Sequence, residues 1–143
     1  VYTHWQRTFL HPMLANFDAP ARDECAAARS VSNTPQQALT LLNDPTFVEA
    51  ARAFAARLLE DPAPAGDVDR IKLAFHQAVN RDALPQELAS LESFLASQRA
   101  FFQKSPGEAT KLIAVGLAAS PKLDPIEHAA WTQVARVLLN THE

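Results

Sequence analysis

The sequence predicts an all-α protein, with an irregular N-terminal arm followed by about five helices in an orthogonal or antiparallel bundle. Alanine, the best helix former, makes up about a fifth of the 143 residues, and only three glycines are present. Prolines such as Pro35 and Pro45 stand where helices are expected to begin. No alternating β-branched run indicates a strand. We therefore expect one helical domain over 1–143, with its arm at 1–33 and its helical core at 34–143.

The arm is the least regular part of the chain. Short helices are predicted for Tyr2–Leu10, where aromatic residues recur at helical spacing, and for Ala21–Arg29. His11 and Pro12 should end the first of these helices, because the residue before a proline avoids the helical region. Phe17–Pro20 is expected to form an extended turn between them.

Polar residues in front of prolines mark several of the later helix starts. Thr34 and Gln37 have the form of a capping box around Pro35, whose missing N–H costs nothing at the first helical position. Asp44 precedes a proline in the same way, and Asp67 is expected to cap the third helix. The predicted helices span Pro35–Leu42, Pro45–Leu59, 68–79, Pro85–Gln103, 106–118 and a last helix that begins at Pro125.

Apolar residues recur at helical spacing along these helices and define the predicted core. The residues expected to face inward are Phe47, Ala51, Phe54, Ala55, Leu58, Ile71, Ala74, Phe75, Ala78, Leu88, Leu91, Leu95, Phe102, Ile126, Ala130, Val134, Val137 and Leu138. The repeated helix–turn–helix pattern has no fixed period that would indicate a solenoid.

Charge and composition exclude several classes of function. The net charge of -3 gives no basic footprint for nucleic acid, and no apolar run reaches the length of a membrane span. The single cysteine, Cys25, excludes an internal disulfide framework and a multi-cysteine metal site. The chain begins at Val1 and residues 138–143 carry no helix stop signal, so we interpret it as a C-terminal fragment of a longer multidomain protein. We expect it to be a monomer.

A series of short motifs resembles one bacterial family. The motifs are Tyr2-Thr3, Trp5-Gln6-Arg7-Thr8, Phe17-Asp18-Ala19-Pro20, Asn33-Thr34-Pro35-Gln36-Gln37-Ala38-Leu39, Leu42-Asn43-Asp44-Pro45, Phe47-Val48-Glu49-Ala50-Ala51, Trp131 and Leu138-Leu139-Asn140. Together they resemble the C-terminal domain of unknown function of planctomycete cytochrome-c-domain proteins, often called the planctomycete-specific domain. The resemblance covers essentially the whole chain. Arg81-Asp82-Ala83-Leu84-Pro85 departs from the Arg-Arg-Pro-type turn often seen in the family, which leaves the role of this turn open.

The resemblance implies an exported parent protein, periplasmic or at the cell surface, with other domains upstream that sometimes include a c-type cytochrome. It implies no particular activity, because the family has no established catalytic residues. No C-x-x-C-H haem attachment motif occurs in this chain, so we expect no cofactor in the fragment itself. The upstream domains of the same polypeptide are the expected partners.

Six polar residues form the candidate ligand-binding set, and most of them lie within the recognised motifs. They are Arg7, Asp18, Arg22, Arg29, Asn33 and Asn43. An arginine can bind two carboxylate oxygens at once and can also satisfy the last carbonyls of a helix. The structural interpretation, which we favour, is a buried polar network that fixes the arm, because irregular backbone needs such partners. The functional interpretation is a groove for an acidic or sugar ligand.

Two weaker candidates concern metal binding and nucleophilic catalysis. His4 and His11 lie near Asp18 and Asp23 and have the right ligand types for a divalent metal, but no dedicated motif spacing. Cys25 could form a nucleophilic pair with a histidine, yet a lone cysteine in an alanine-rich helix is more often a small buried hydrophobe. We predict neither a metal site nor a catalytic residue in this fragment.

The sequence therefore favours a helical scaffold or interaction module that binds a protein or a polysaccharide. The alternative is part of an enzyme, acting on polysaccharide, whose site needs the upstream domain. A pocket with carboxylates about 5–10 Å apart would favour the enzyme, and a bare apolar patch would favour the scaffold. Electron transfer would need a haem that this fragment has no motif to attach.

Overall fold

The computed structural model describes residues 10–20, 27–28, 30–119 and 121–141. The helices of these residues are α1 (Pro12–Asn16), α2 (Pro35–Asn43), α3 (Pro45–Glu60), α4 (Asp67–Val79), α5 (Pro85–Lys104), α6 (Pro106–Ile113) and α7 (Pro125–Leu139). No strand occurs in this part of the chain, and the predicted all-α fold is confirmed. Among the helices described, none combines the length and the apolar character that a membrane crossing requires.

The chain divides into two compact units, Val1–Thr40 and Leu41–Glu143, with the boundary inside α2. The single domain expected over 1–143 stays a prediction. Helices α3 to α7 all belong to the larger unit, which also contains the hydrophobic core.

In the smaller unit, two helix starts show how polar side chains replace missing backbone partners. His11 accepts the N–H of Met13 at 3.3 Å and begins α1, so His11 and Pro12 open a helix here. The helices predicted for Tyr2–Leu10 and Ala21–Arg29 lie largely outside the described residues. At α2 the capping box is confirmed, because the Gln37 N–H donates to Thr34 Oγ1 at 3.3 Å and the Thr34 N–H to Gln37 Oε1 at 3.0 Å.

Helix α7 is the central element of the larger unit and packs against α3, α4, α5 and α6. Trp131 and Val134 are fully buried on it, together with the small side chains of Ala129, Ala130 and Ala135. Small side chains let neighbouring helices approach closely, so one central helix can contact four others.

The predicted core faces are largely confirmed. Of the residues expected to face inward, Phe47, Phe54, Ala78, Leu88 and Ile126 are half-buried and the others are buried, except for Val137. Val137 was wrongly placed in the core, since its side chain is 40% exposed. It lies on the solvent side of α7, next to the buried Leu138 that occupies the inward position.

Two helix boundaries differ from the prediction. Gly66 occupies the N-cap of α4 without a side-chain cap, and Asp67 is the first helical residue, because its carboxylate is bound to an arginine instead. Helix α6 ends at Ile113 and not near Ala118. The chain turns at Gly116, where φ is +96°, a conformation that glycine adopts without strain.

Candidate functional site

Of the six residues predicted from the sequence motifs, Arg7, Arg22 and Arg29 lie outside the described residues. Asn33 and Asn43 are exposed, and they fall in the smaller and the larger unit respectively. The binding role proposed for this set therefore stays a prediction.

Asp18 organises the loop that precedes α2. One of its carboxylate oxygens accepts the Ser32 N–H at 2.8 Å, the Ser32 hydroxyl at 2.6 Å and the Gln37 side-chain amide at 3.3 Å. Its backbone is left-handed, with φ at +54°. These bonds agree with the structural interpretation of Asp18, because they satisfy irregular backbone.

The residues considered for metal binding and nucleophilic catalysis give no constellation within the described chain. His11 is used as a helix cap, and His4, Asp23 and Cys25 lie outside the described residues. The described residues hold no group of three His, Cys, Asp or Glu side chains placed to bind a metal ion.

Arg52 is a buried charged side chain of the larger unit, and it was not predicted. It lies on α3 and is 2% exposed. Its terminal nitrogens donate to the carbonyl of Ile113 at 3.1 Å and to that of Ala118 at 2.7 Å. Arg52 therefore fastens both ends of the segment 113–118, which follows α6, to the middle of α3.

Glu49, one turn before Arg52, fastens the same segment from the other side. Its Oε1 accepts the N–H groups of Leu117 at 2.9 Å and Ala118 at 2.5 Å. The same oxygen lies 3.9 Å from a terminal guanidinium nitrogen of Arg52. A side chain at Gly116 would collide with the Glu49 carboxyl group, so the absence of a Cβ is needed here. We call Glu49, Arg52 and segment 113–118 the loop clamp.

His128 on α7 makes a hydrogen bond to the backbone of Arg52 and so connects α7 to the loop clamp. The ring is 1% exposed, and its Nε2 lies 3.0 Å from the carbonyl oxygen of Arg52. A carbonyl only accepts hydrogen bonds, so this nitrogen carries the proton. The buried Thr132 hydroxyl donates to the His128 carbonyl at 2.7 Å. The His128 Nε2, the Arg52 carbonyl and the Thr132 hydroxyl each have a hydrogen-bond partner, as most buried polar groups in folded proteins do.

A cavity of about 330 Å³ opens beside the loop clamp, between α3 and the chain that leads to α7. Such a volume lies at the small end of ligand sites, which span roughly 300–1,000 Å³. Its polar lining comes from Arg52, Arg57, Glu60 and His128. Its apolar wall comes from Ala53, Ala56, Ala119 and Pro121. We call it the Arg57 cavity.

A second charged cluster joins three helices of the larger unit. Arg99 on α5 donates to Asp67 on α4, through a short contact and a bond of 3.0 Å, and to Glu127 on α7 at 2.8 Å. These hydrogen bonds lower the pKa of Asp67 and raise the pKa of Arg99. Asp67 and Arg99 are therefore held in their charged forms.

Arg81 and Glu87 form a third pair at the start of α5. The Arg81 guanidinium donates to both Glu87 oxygens, at 2.9 and 2.8 Å, and it stacks over the Phe75 ring at 4.8 Å. Hydrogen bonds from Arg81 and then from the Leu84 N–H lower the pKa of Glu87 to about 2. This turn is the one that departs from the family motif, and the structure gives it a local fastening role.

The spacing of Arg52 and His128 relative to apolar residues is a sequence signal of their burial, which the prediction of the candidate site missed. Arg52 lies at the spacing of Val48, Ala51 and Ala55, and His128 lies three residues before Trp131. Each is a polar residue on an apolar stripe, which marks a side chain that must find a partner inside the protein.

Comparison with protein families gives one match. Residues 1–95 match PSD1, described as a protein of unknown function (DUF1553). The matched range contains Glu49, Arg52 and Arg57, and it ends within α5, before Ala118 and His128. No curated protein and no solved structure matches this chain.

Proposed function

This chain belongs to the PSD1 family of proteins of unknown function, and we propose that it is a non-catalytic helical scaffold and interaction module of a larger exported bacterial protein. The proposal includes the planctomycete, cytochrome-c-associated origin that the sequence motifs imply. A c-type haem would then belong to another domain of the parent, and this fragment would act as a monomer without a cofactor.

The observation that carries the proposal is the Arg99 cluster. A general acid in glycoside hydrolysis needs a carboxyl group whose pKa is raised, so that it still holds its proton near neutral pH. Arg99 does the opposite to Asp67, whose pKa its hydrogen bonds lower. The cluster joins α4, α5 and α7, and this use of charge favours a scaffold over an enzyme.

The surface that best fits an interaction is a groove of about 310 Å³ along α5 and α6, which we call the Phe101 groove. Phe102 is buried at its base, and the ring of Phe101 stands edge-on to it with centroids 5.1 Å apart. Phe101 is itself 50% exposed, beside Leu112 and Val115. An aromatic centre with a charged rim, here the Glu108–Lys111 pair, is typical of protein interfaces.

We propose that the occupant of the Phe101 groove is the upstream part of the same polypeptide. Titration calorimetry between this chain and the separately produced upstream part should show binding. Phe101→Ser should weaken it at least about tenfold, because an aromatic anchor is lost. Leu84→Ser is the control, since Leu84 is 60% exposed but lies outside the groove. Equal effects of both changes, or no binding by the unchanged chain, would contradict the proposal.

The enzyme alternative is tested on the full-length parent. Purified parent protein should not hydrolyse polysaccharide through residues of this fragment, and any haem it contains should remain after this fragment is removed. The parent could instead show a hydrolytic activity that disappears in Asp67→Asn or Glu127→Gln while circular dichroism shows a retained fold. In that case the enzyme alternative would replace the scaffold proposal.

A further inference from the structure

We propose that the Arg57 cavity binds a small monocarboxylate, with the carboxylate on the Arg57 guanidinium and an apolar body against the alanine wall. This inference does not rest on the proposed interaction function, because the cavity is lined by α3, His128, Ala118, Ala119 and Pro121, whereas the Phe101 groove is formed mainly by α5 and α6.

Two arginines line the cavity, Arg52 and Arg57, and they differ in how their N–H donors are used. Both terminal nitrogens of Arg52 already donate to backbone carbonyls, and its charge lies near that of Glu49. Arg57 is different, because no hydrogen bond or ion pair joins its guanidinium to any other described residue. Its Cζ lies over the Phe54 ring, 5.8 Å from the ring centroid. A cation–π contact of this kind uses no N–H group in a hydrogen bond, so the donors of Arg57 stay available to a ligand.

The shape and charge of the lining select the ligand. A guanidinium edge matches the two oxygens of a carboxylate, which it can bind with two parallel hydrogen bonds. A phosphate dianion would call for further cations, and the cavity has only this one with its donors unused among the residues described. The methyl groups of Ala53 and Ala56 and the ring of Pro121 offer no hydrogen-bond donors, so they suit an apolar body.

Glu60 carries a negative charge that opposes the binding of a carboxylate in this cavity. It lies three residues after Arg57, lines the same cavity and is exposed, and no ion pair joins the two side chains. Its negative charge should weaken carboxylate binding modestly, because salt and water screen charges at a surface. Removing this charge should therefore strengthen binding, a change that a loss of folding could not imitate.

The experiment compares hexanoate with hexanamide, which has the same apolar body and no charge, by amide chemical-shift titration of the whole chain. Hexanoate should shift the signals of Ala53, Ala56 and Ala118 in a saturable way, and hexanamide should bind at least about tenfold more weakly. N-Acetylleucine against N-acetylleucinamide is the second pair and mimics a peptide C-terminus. Tighter binding of either acid than of its own amide supports the proposal. The acid that binds more tightly shows whether the cavity prefers a simple aliphatic carboxylate or the carboxylate of a peptide C-terminus.

Four variants complete the test. Arg57→Gln should reduce hexanoate affinity about tenfold, whereas Lys72→Gln removes an exposed cation of α4 and should leave it unchanged. Ala53→Leu should block the cavity without altering any charge, and Glu60→Gln should strengthen binding. Equal affinity for acid and amide, no saturable shift, or equal losses in Arg57→Gln and Lys72→Gln would overturn the proposal.

Discussion

Replacing Arg52 with methionine tests whether the loop clamp stabilises the larger unit. Methionine keeps an unbranched apolar side chain of similar length and removes the guanidinium, so the change isolates the polar contacts. The carbonyls of Ile113 and Ala118 would lose their charged donors, and Glu49 would lose the nearby positive charge.

The size of the effect follows from these contacts. A hydrogen bond to a charged group contributes about 1.5–3 kcal/mol, so two such bonds give roughly 3–6 kcal/mol. Ala118 is exposed, and water can replace part of its lost bond. We therefore expect a loss of about 3–4 kcal/mol in the free energy of unfolding, close to the roughly 3–5 kcal/mol of a broken buried ion pair.

Urea unfolding followed by circular dichroism measures this loss, and Arg57→Met is the matched control. Arg57 lies on the same helix with an exposed guanidinium that has no hydrogen bond to a described residue, so its replacement should change stability by less than about 0.5 kcal/mol. Hydrogen exchange should also show earlier loss of protection at Leu117 and Ala118, whose N–H groups bind Glu49. If Arg52→Met were as stable as Arg57→Met, the clamp would contribute nothing and this reasoning would be refuted.

Three further predictions test individual features of the fold. Gly116→Ala should destabilise the chain by about 1–3 kcal/mol in urea, because φ is +96° and the new Cβ meets Glu49; an unchanged midpoint would contradict this. Glu87→Gln should reduce the loss of folding stability that the chain shows as the pH is lowered. The pKa of Glu87 falls from 4.5 to about 2 on folding, so its contribution is full above pH 4.5 and disappears as the pH falls through about 2. The stability difference between parent and variant, measured by urea midpoints across this range, should shrink towards low pH, and a constant difference would argue against it. Thr34→Ala should cost about 0.5–2 kcal/mol through loss of the cap, whereas Thr46→Ala, at an exposed helical position, is the control.

Helix positions were predictable because their signals are local. A threonine or aspartate before a proline fixes the start of a helix within a few residues, and Thr34, Asp44 and Asp124 all precede observed helices. The end of α6 was not predictable in this way. It depends on Glu49, far away in the sequence, which binds the backbone after Gly116 and draws it out of the helical path.

The candidate site was less predictable, because polar motif residues were taken as the signal. Asp18 lies in a polar network whose described partners, Ser32 and Gln37, were not named. Arg52 and His128 were missed because hydrophobic periodicity treats a polar residue on an apolar stripe as an exception. A polar residue on an apolar stripe locates a buried polar network better than an exposed polar residue does, since burying a polar group without a hydrogen-bond partner is costly.

The alanine content and the buried polar side chains have a common explanation. Ala51 and Ala55 of α3 and Ala129 and Ala130 of α7 belong to the same buried cluster, and α3 and α7 pack against each other. Side chains this short allow the two backbones to come close together. His128 can then reach across the contact to the Arg52 carbonyl at 3.0 Å, which a core of leucines would hold too far away. The composition that predicts helices therefore also permits the His128–Arg52 contact, and the loop clamp and Arg57 cavity lie directly beside it.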